Sequence, residues 1–337
     1  MRLYAILIRI LIALAALTIV LCVVGCDRTE YQHANPPEKV AIAATVLPDA
    51  ALTDVAMAKG YYLQEGLAAT PQTHQIGKQA LQAVLDRQAD FATVAETPVM
   101  LSMMKGDRIA IIATIDTSYK NMAIVARKDR GVLGFADLKG KRLATTFGTI
   151  GEFFMDTILI ANGISKKDIH VVGMPPDGLQ KALENGDVDA ITVWNPMLIR
   201  IQKKLGDRVA TFYGGDLYTQ FYVVVAREEY ILRNPTTVFK LLKALVKAEE
   251  FVSRNPEEAQ KIVAEASRTD IPLVEATWAV NNFRLALDQS LILALEDESR
   301  WAIKSGLTKA TKVPNYLDFI YFDGLKSVKP EAVRILR

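Results

Sequence analysis

Cysteine is almost absent: Cys22 and Cys26 are the only two in 337 residues, and both stand near the start. From residue 27 onward the chain has no thiol. That excludes a disulfide framework, a Cys-ligated zinc and a cysteine nucleophile from this part. Histidine is scarce as well, with only His33, His74 and His170. Neither His74 nor His170 has a partner at metal-ligand spacing, so both are expected to be structural, and no Ser–His–Asp arrangement stands out. Glycine-rich phosphate motifs are missing, and no cofactor is expected. Charge of one sign is also lacking. Lys and Arg number 40 against 38 Asp and Glu, and Arg2 and Arg9 precede every acid, so the remainder is neutral. A neutral body has nothing to steer it toward nucleic acid or anionic lipid. Beyond residue 25 no run approaches the ~18 uncharged apolar residues of a membrane span, which excludes a multi-span transporter. With 50% apolar residues there is ample material for two or three packed domains.

What is present begins at the N-terminus. Arg2 and Arg9 form a basic region ahead of an uncharged apolar run over 10–24. Its length suits a secretory signal and is short for a span. The run ends in Val23-Val24-Gly25-Cys26, which resembles the lipobox of bacterial lipoproteins. That resemblance implies removal of residues 1–25 and acylation of Cys26, holding the body outside the cytoplasm on a lipid anchor. An uncleaved single span is the alternative and places the body on the same side. Asp27 resembles the inner-membrane retention signal of Gram-negative lipoproteins, which implies the periplasmic face of that membrane. Residues 26–38 read as a tether.

The body alternates short β-rich runs with helical patterns, the mark of an α/β protein. Strands are expected over 40–45, 68–74 and 90–95, with helices over 50–59 and 78–87. Leu81, Val84 and Leu85 share one face of the second helix. The unit recurs about a hundred residues later, with strands over 141–146, 169–172 and 188–193 and helices over 151–162 and 178–184. Leu81-Gln82…Leu85…Asp90 stands against Leu179-Gln180…Leu183…Asp189, and Ala123-Ile124-Val125-Ala126-Arg127 against Val223-Val224-Val225-Ala226-Arg227. The repeat predicts two similar lobes, with ligand-binding edges beyond the strands' carboxyl ends and a cleft where those edges face each other. Residues 228–337 read as mostly helical and are expected to pack on the first lobe. Asn255-Pro256-Glu257-Glu258 reads as a capped helix start. Met100, Met103 and Met104 are expected in the core, and Lys166-Lys167-Asp168 as a solvated turn.

Five segments carry a family resemblance: Lys59-Gly60-Tyr61-Tyr62-Leu63-Gln64-Glu65-Gly66-Leu67; Ala89-Asp90-Phe91-Ala92 with Glu96-Thr97-Pro98; Asp137-Leu138-Lys139-Gly140-Lys141; Gly186-Asp187-Val188-Asp189-Ala190 with Trp194-Asn195-Pro196; and Val313-Pro314-Asn315-Tyr316-Leu317-Asp318-Phe319. Together they resemble the extracytoplasmic solute-binding proteins of ABC importers for nitrate, sulfonates, taurine and pyrimidine vitamin precursors. The resemblance implies a two-lobed type II periplasmic-binding-protein fold, each lobe a small, mostly parallel sheet flanked by helices. Residues 39–118 plus 222–337 would form lobe 1, and 119–221 lobe 2. The implied partners are a small-molecule ligand and a permease with its ATPase, the protein itself being a monomer without catalytic residues or bound metal.

The expected strand edges nominate ligand-binding residues independently. Thr45 and Asp49 follow the first strand, and Glu96 and Thr97 follow the third. Asp116 and Thr117 precede one crossing between lobes, and Tyr222 lies in the other. Gly148 and Thr149 precede a helix whose free N–H groups suit a carboxylate, sulfonate or phosphate, or Thr149 is simply its cap. Trp194 either stacks on a flat ligand or fills the lobe interface, and Asn195 either reads a ligand or turns the chain. Glu96, Asp116 and Glu152 put negative charge near the cleft, whereas Lys120 alone among the bases falls on a matching edge. This balance suits a ligand bearing an amine or aminopyrimidine. A sulfonate- or taurine-like ligand would use the helix end at Gly148. Two other readings remain: a receptor lobe reporting to a membrane signalling partner, and a pyrimidine-precursor enzyme on the same fold. The second conflicts with the missing cysteines.

Overall fold

The computed structural model describes residues 36–336. The expected signal, Cys26 and most of the tether lie outside the described residues. No helix among the described residues is long and apolar enough to cross a membrane.

Two five-stranded sheets organise the described chain. The first contains β1 (Glu38–Thr45), β2 (Leu67–His74), β3 (Phe91–Ala95), β4 (Ile109–Ser118) and β10 (Gln220–Arg227), in the order β2-β1-β3-β10-β4. The second contains β5 (Met122–Arg127), β6 (Arg142–Thr145), β7 (His170–Gly173), β8 (Ala190–Trp194) and β9 (Val209–Tyr213), in the order β7-β6-β8-β5-β9. In each, one strand is reversed: β10 is antiparallel to β3 and β4, and β5 to β8 and β9. The other four strands of each sheet run one way. Every residue of β3 and β8 is buried, as expected of central strands covered on both faces.

The sequence echo has a structural cause. β5 and β10, the two Ala-Arg-ending strands, occupy the same place in their sheets. Arg127 donates to the carbonyls of Leu183 and Glu184, and Arg227 to those of Val84 and Ala89. Each guanidinium thereby closes the C-terminal end of the helix that precedes the central parallel strand, satisfying carbonyls the helix leaves unpaired. Asp90 Oδ2 accepts the Ala41 N–H at 2.8 Å, and Asp189 Oδ2 accepts the Arg142 N–H at 2.8 Å. The conserved spacing within the chain thus marks two pairs of equivalent hydrogen bonds.

The helices that position the site are α1 (Ala51–Ala58), α2 (Gly77–Leu85), α3 (Glu96–Lys105), α4 (Ile150–Ala161) and α5 (Pro176–Asn185). Leu81 and Val84 of α2 are buried, and Met100, Met103 and Met104 of α3 lie in the core. In the tail, α6 (Pro235–Arg254) and α7 (Pro256–Ser267) pack on α1, and α8 (Gln289–Lys304) packs on α3. The cap expected of Asn255 takes a different form. Its amide donates back to the Phe251 carbonyl, closing α6 instead of opening α7.

Candidate functional site

The ends of both sheets enclose a cavity of about 40 Å³. Asp49 comes from the turn after β1, Ile76, Gly77 and Lys78 from the end of the β2–α2 link and the start of α2, and Ala95 and Pro98 from the β3–α3 junction. Asn121, Thr149, Ile150 and Trp194 close it from the side of the second sheet, and Gln220 and Tyr222 of β10 complete it. The volume exceeds the ~10–15 Å³ a water needs and is far below the ~300–1,000 Å³ of a drug-sized pocket. Two grooves of about 530 Å³ each adjoin it, one past Phe147, Gly148 and Glu152, the other past Pro175, Trp194 and Arg200.

Gly77 sets one wall. A Cβ at this position would stand 2.9 Å from the Val94 Cα, so α2 begins directly against β3. Gly77→Ala should move that wall and cost about 1–3 kcal/mol, read as a lower denaturation midpoint. An unchanged midpoint would mean that α2 yields freely.

Of the nominated residues, Asp49, Thr149, Trp194 and Tyr222 line the cavity. Thr45 stands one step behind, its Oγ1 2.6 Å from the Tyr222 hydroxyl. Asp116 is buried behind Asp49, and the Asn281 side-chain amide donates to both, at 3.0 Å to Asp49 and 2.9 Å to Asp116. Burial pushes the Asp49 carboxyl up to about 6. Asp116 is held well above the usual carboxylate range by burial and then by the charge of Asp49. Thr117 is taken up by the tail, accepting from the Asn282 amide at 3.3 Å.

Glu96 and Thr97 lie at the β3–α3 junction beside the cavity. Neither lines the cavity, because both turn toward α8. Glu96 accepts from the Tyr218 hydroxyl at 2.5 Å and from the Phe221 N–H at 3.0 Å, and Thr97 Oγ1 donates to Glu298 at 2.8 Å. Glu96 and Glu298 form a second buried carboxyl pair. Burial pushes Glu96 up to about 7, and burial together with the Glu96 charge holds Glu298 well above its ordinary value.

The helix end at Gly148 is also occupied from within. Thr149 caps α4 by accepting the Gly151 N–H, while the Gly148 N–H donates to Glu152 at 2.8 Å. The first-turn acid of α4 reaches back to this donor. Gly148 itself borders the groove beside the cavity. Trp194 is 8% exposed and faces both the cavity and a groove. Asn195 is buried outside the cavity lining, its N–H donating to the Asn121 carbonyl, and its peptide to Pro196 is cis.

The expected shortage of bases is corrected. Lys78 lines the cavity and donates to the Phe147 carbonyl at 3.3 Å, spanning the two halves. Lys166 sits in an exposed turn, as expected of Lys166-Lys167-Asp168, and from there pairs with Asp156 at 3.2 Å and Glu152 at 3.7 Å. Lys120 instead lies over the exposed Tyr119 ring. Lys78 follows the second strand, whereas the nominated edges of this half follow the first and third. Asn121 lay within the first crossing. Asn281, in an irregular part of the tail, carried no local signal.

Residues 48–259 match the family described as NMT1/THI5 like. A protein of Brucella abortus (strain 2308), named as a binding protein, is 24% identical over 279 residues, covering 82% of this chain and 83% of its own. A protein of Bacillus subtilis (strain 168), named as an aliphatic sulfonates-binding protein, is 25% identical over 267 residues, covering 79% and 80%. Among solved structures, the periplasmic aliphatic sulphonate binding protein SsuA from Escherichia coli superposes with a TM-score of 0.72 at 17% identity, over 85% of this chain and 98% of that one. The desulfurization enzyme DSZB also shares the fold, at TM-score 0.62 and 16% identity over 87% and 99%. These likenesses establish the fold as the α/β periplasmic-binding-protein type.

Proposed function

The chain belongs to the NMT1/THI5-like family, and from that premise we propose that it is the solute-binding component of an ABC importer. It captures a small organic molecule between its two halves and delivers it to a membrane permease with its ATPase. One observation carries this reading: a cavity takes its walls from both sheets, with β10 of the first sheet completing it. A ligand there favours the arrangement in which both halves touch it, to the extent that it binds that arrangement better. We divide the body into lobe 1, residues 39–118 plus 222–337, and lobe 2, residues 119–221. The chemistry is capture without turnover, and the protein acts as a monomer. Residues 1–25 serve as a signal, Cys26 carries lipid, and residues 26–38 tether the body to the outer face of the cytoplasmic membrane. The relatives named for sulfonates support a sulfonate- or taurine-like ligand. The carboxyls under the cavity support an amine- or aminopyrimidine-bearing one.

A thermal-shift screen over sulfonates, taurine, aminopyrimidines and aromatic acids tests the reading, since a ligand at about 100 times its Kd adds ~2.7 kcal/mol of stability. Trp194→Ala should weaken the binding of any hit about 10-fold or more while leaving the fold intact, since aromatic residues carry much of such contact energy. Equal calorimetric affinity in both proteins would remove Trp194 from the site. Conversion of a bound hit to a product would end the capture reading.

A further inference from the structure

The cavity floor carries more hydrogen-bond acceptors than donors. Asp49 lies on it and Asp116 lies behind, and a single side-chain amide from Asn281 serves both carboxyls. The Asn121 amide is divided between Asp49 at 3.3 Å and Gln220 at 2.7 Å. Against these stand Asp116 Oδ1, Asn121 Oδ1 and Asn281 Oδ1, each buried with no partner. Asn121 is the telling residue: it is 2% exposed, it lines the cavity, and its side-chain carbonyl receives no donor. Buried acceptors without donors are costly, and the group that satisfies several at once beside a carboxylate pair is a positively charged nitrogen.

Building on the solute-binding reading above, we propose that Asp49 and Asn121, backed by Asp116, form the subsite for a protonated nitrogen of the ligand, an ammonium or amidinium group. The ligand's N–H groups donate to Asp49 and to Asn121 Oδ1. Trp194 borders the same cavity, and its ring face suits a flat cation. Asp116 is a positioning residue that adds charge through Asp49. Two carboxyls this close do not both ionise readily, so the pair retains a proton, which an arriving cation displaces to solvent. Around the pair stand Tyr218 and Tyr222, whose hydroxyls burial keeps protonated, and Lys78 on the cavity wall.

Calorimetric titration of the full chain near pH ~6.5, in two buffers of different ionisation enthalpy, tests the subsite. The probes are ethylammonium, acetamidinium and benzamidinium, each set against an anion of similar size: ethanesulfonate, acetate and benzoate. At least one cation should bind about 10-fold or more tightly than its anionic counterpart and release up to about one proton. Asp49→Asn should weaken that cation about 30-fold or more, since it removes the charge at the cavity. Asp116→Asn should weaken it less and abolish the proton release, an effect that a purely structural role would not produce. Both changes are isosteric, and melting curves verify that the variants fold. Binding of the sulfonate or carboxylates without the cations, or a cation affinity unmoved by Asp49→Asn, overturns the subsite and leaves the solute-binding reading standing. Binding by neither series overturns the subsite and also counts against that reading.

Discussion

Raising the pH from about 5.5 to 8 should lower the melting temperature of the protein by about 5–10 °C. The cause is the two buried carboxyl pairs, Asp49 with Asp116 and Glu96 with Glu298. The unfolded chain ionises its carboxyls near pH ~4. The folded chain holds Asp49 up to about 6 and Glu96 up to about 7, chiefly by burial, and their partners well above the ordinary carboxylate range. Between these limits the folded state binds more protons than the unfolded state, so stability falls as pH rises. Forcing a carboxyl of this kind to ionise in place costs on the order of 3 kcal/mol. Exposed acids act in the opposite sense in a lower window. The backbone N–H groups of Leu133 and Gly134 hold Asp137 below its ordinary range, and Lys204 does the same for Glu184, so that their contribution is lost only below pH ~4. Maximum stability should therefore lie near pH ~5. Glu298→Gln should raise the melting temperature at pH 8 and flatten the slope. Its amide oxygen can still accept from Thr97, and its NH2 donates to Glu96 without carrying charge. A wild-type curve that is level or rising from pH 5.5 to 8 would contradict the assignment of both pairs.

Trp301→Ala should destabilise the protein by about 3–5 kcal/mol, as expected when a large aromatic leaves a packed site. Trp301 is on α8, and its indole N–H donates to Asp156 Oδ2 of α4 at 2.9 Å. Its ring meets Phe153, also of α4, edge to face at 5.2 Å, and Phe153 in turn meets Tyr218 at 5.8 Å. The contact joins the tail, packed on α3, to a helix of the second sheet. Its loss should loosen one half from the other as well as lower stability. Solution scattering would show this as a larger radius of gyration. Trp301→Phe should keep most of the packing and lose about 1–2 kcal/mol with the hydrogen bond. If Trp301→Ala melts like the parent and scatters identically, α8 does not hold the halves together.

The fold was readable because its signals are local and occur twice. β-rich runs and amphipathic helices of ordinary length placed β1–β3, β6–β8 and the helices between them to within about two residues, whereas β4 and β9 carried no such expectation. The matching Asp90 and Asp189, and Arg127 and Arg227, carry the same hydrogen bonds in each sheet. The site was only partly readable. A strand edge indicates that Asp49 and Trp194 lie near a cleft, but not which way a side chain turns at a strand–helix junction. Glu96 starts α3 where the edge rule places it, yet it turns to Tyr218 and Glu298, which are 122 and about 200 positions away. No local pattern announces a partner at that distance. Thr149 was legible as a helix cap, whereas Glu152 read only as charge near the cleft; both satisfy their own helix before any ligand could. Lys78 follows β2, and the strand-edge rule extends to it as it does to the ends of β1 and β3.

Hydrogen–deuterium exchange, with and without the tightest ligand from the screen, tests the central claim most directly. A solute held between the halves should protect segments 45–49, 76–78 and 220–222 together with 121–122 and 194–195, and should be recovered chemically unchanged. Protection confined to one sheet, or appearing away from the cavity, would contradict capture between the two halves, as would recovery of a product.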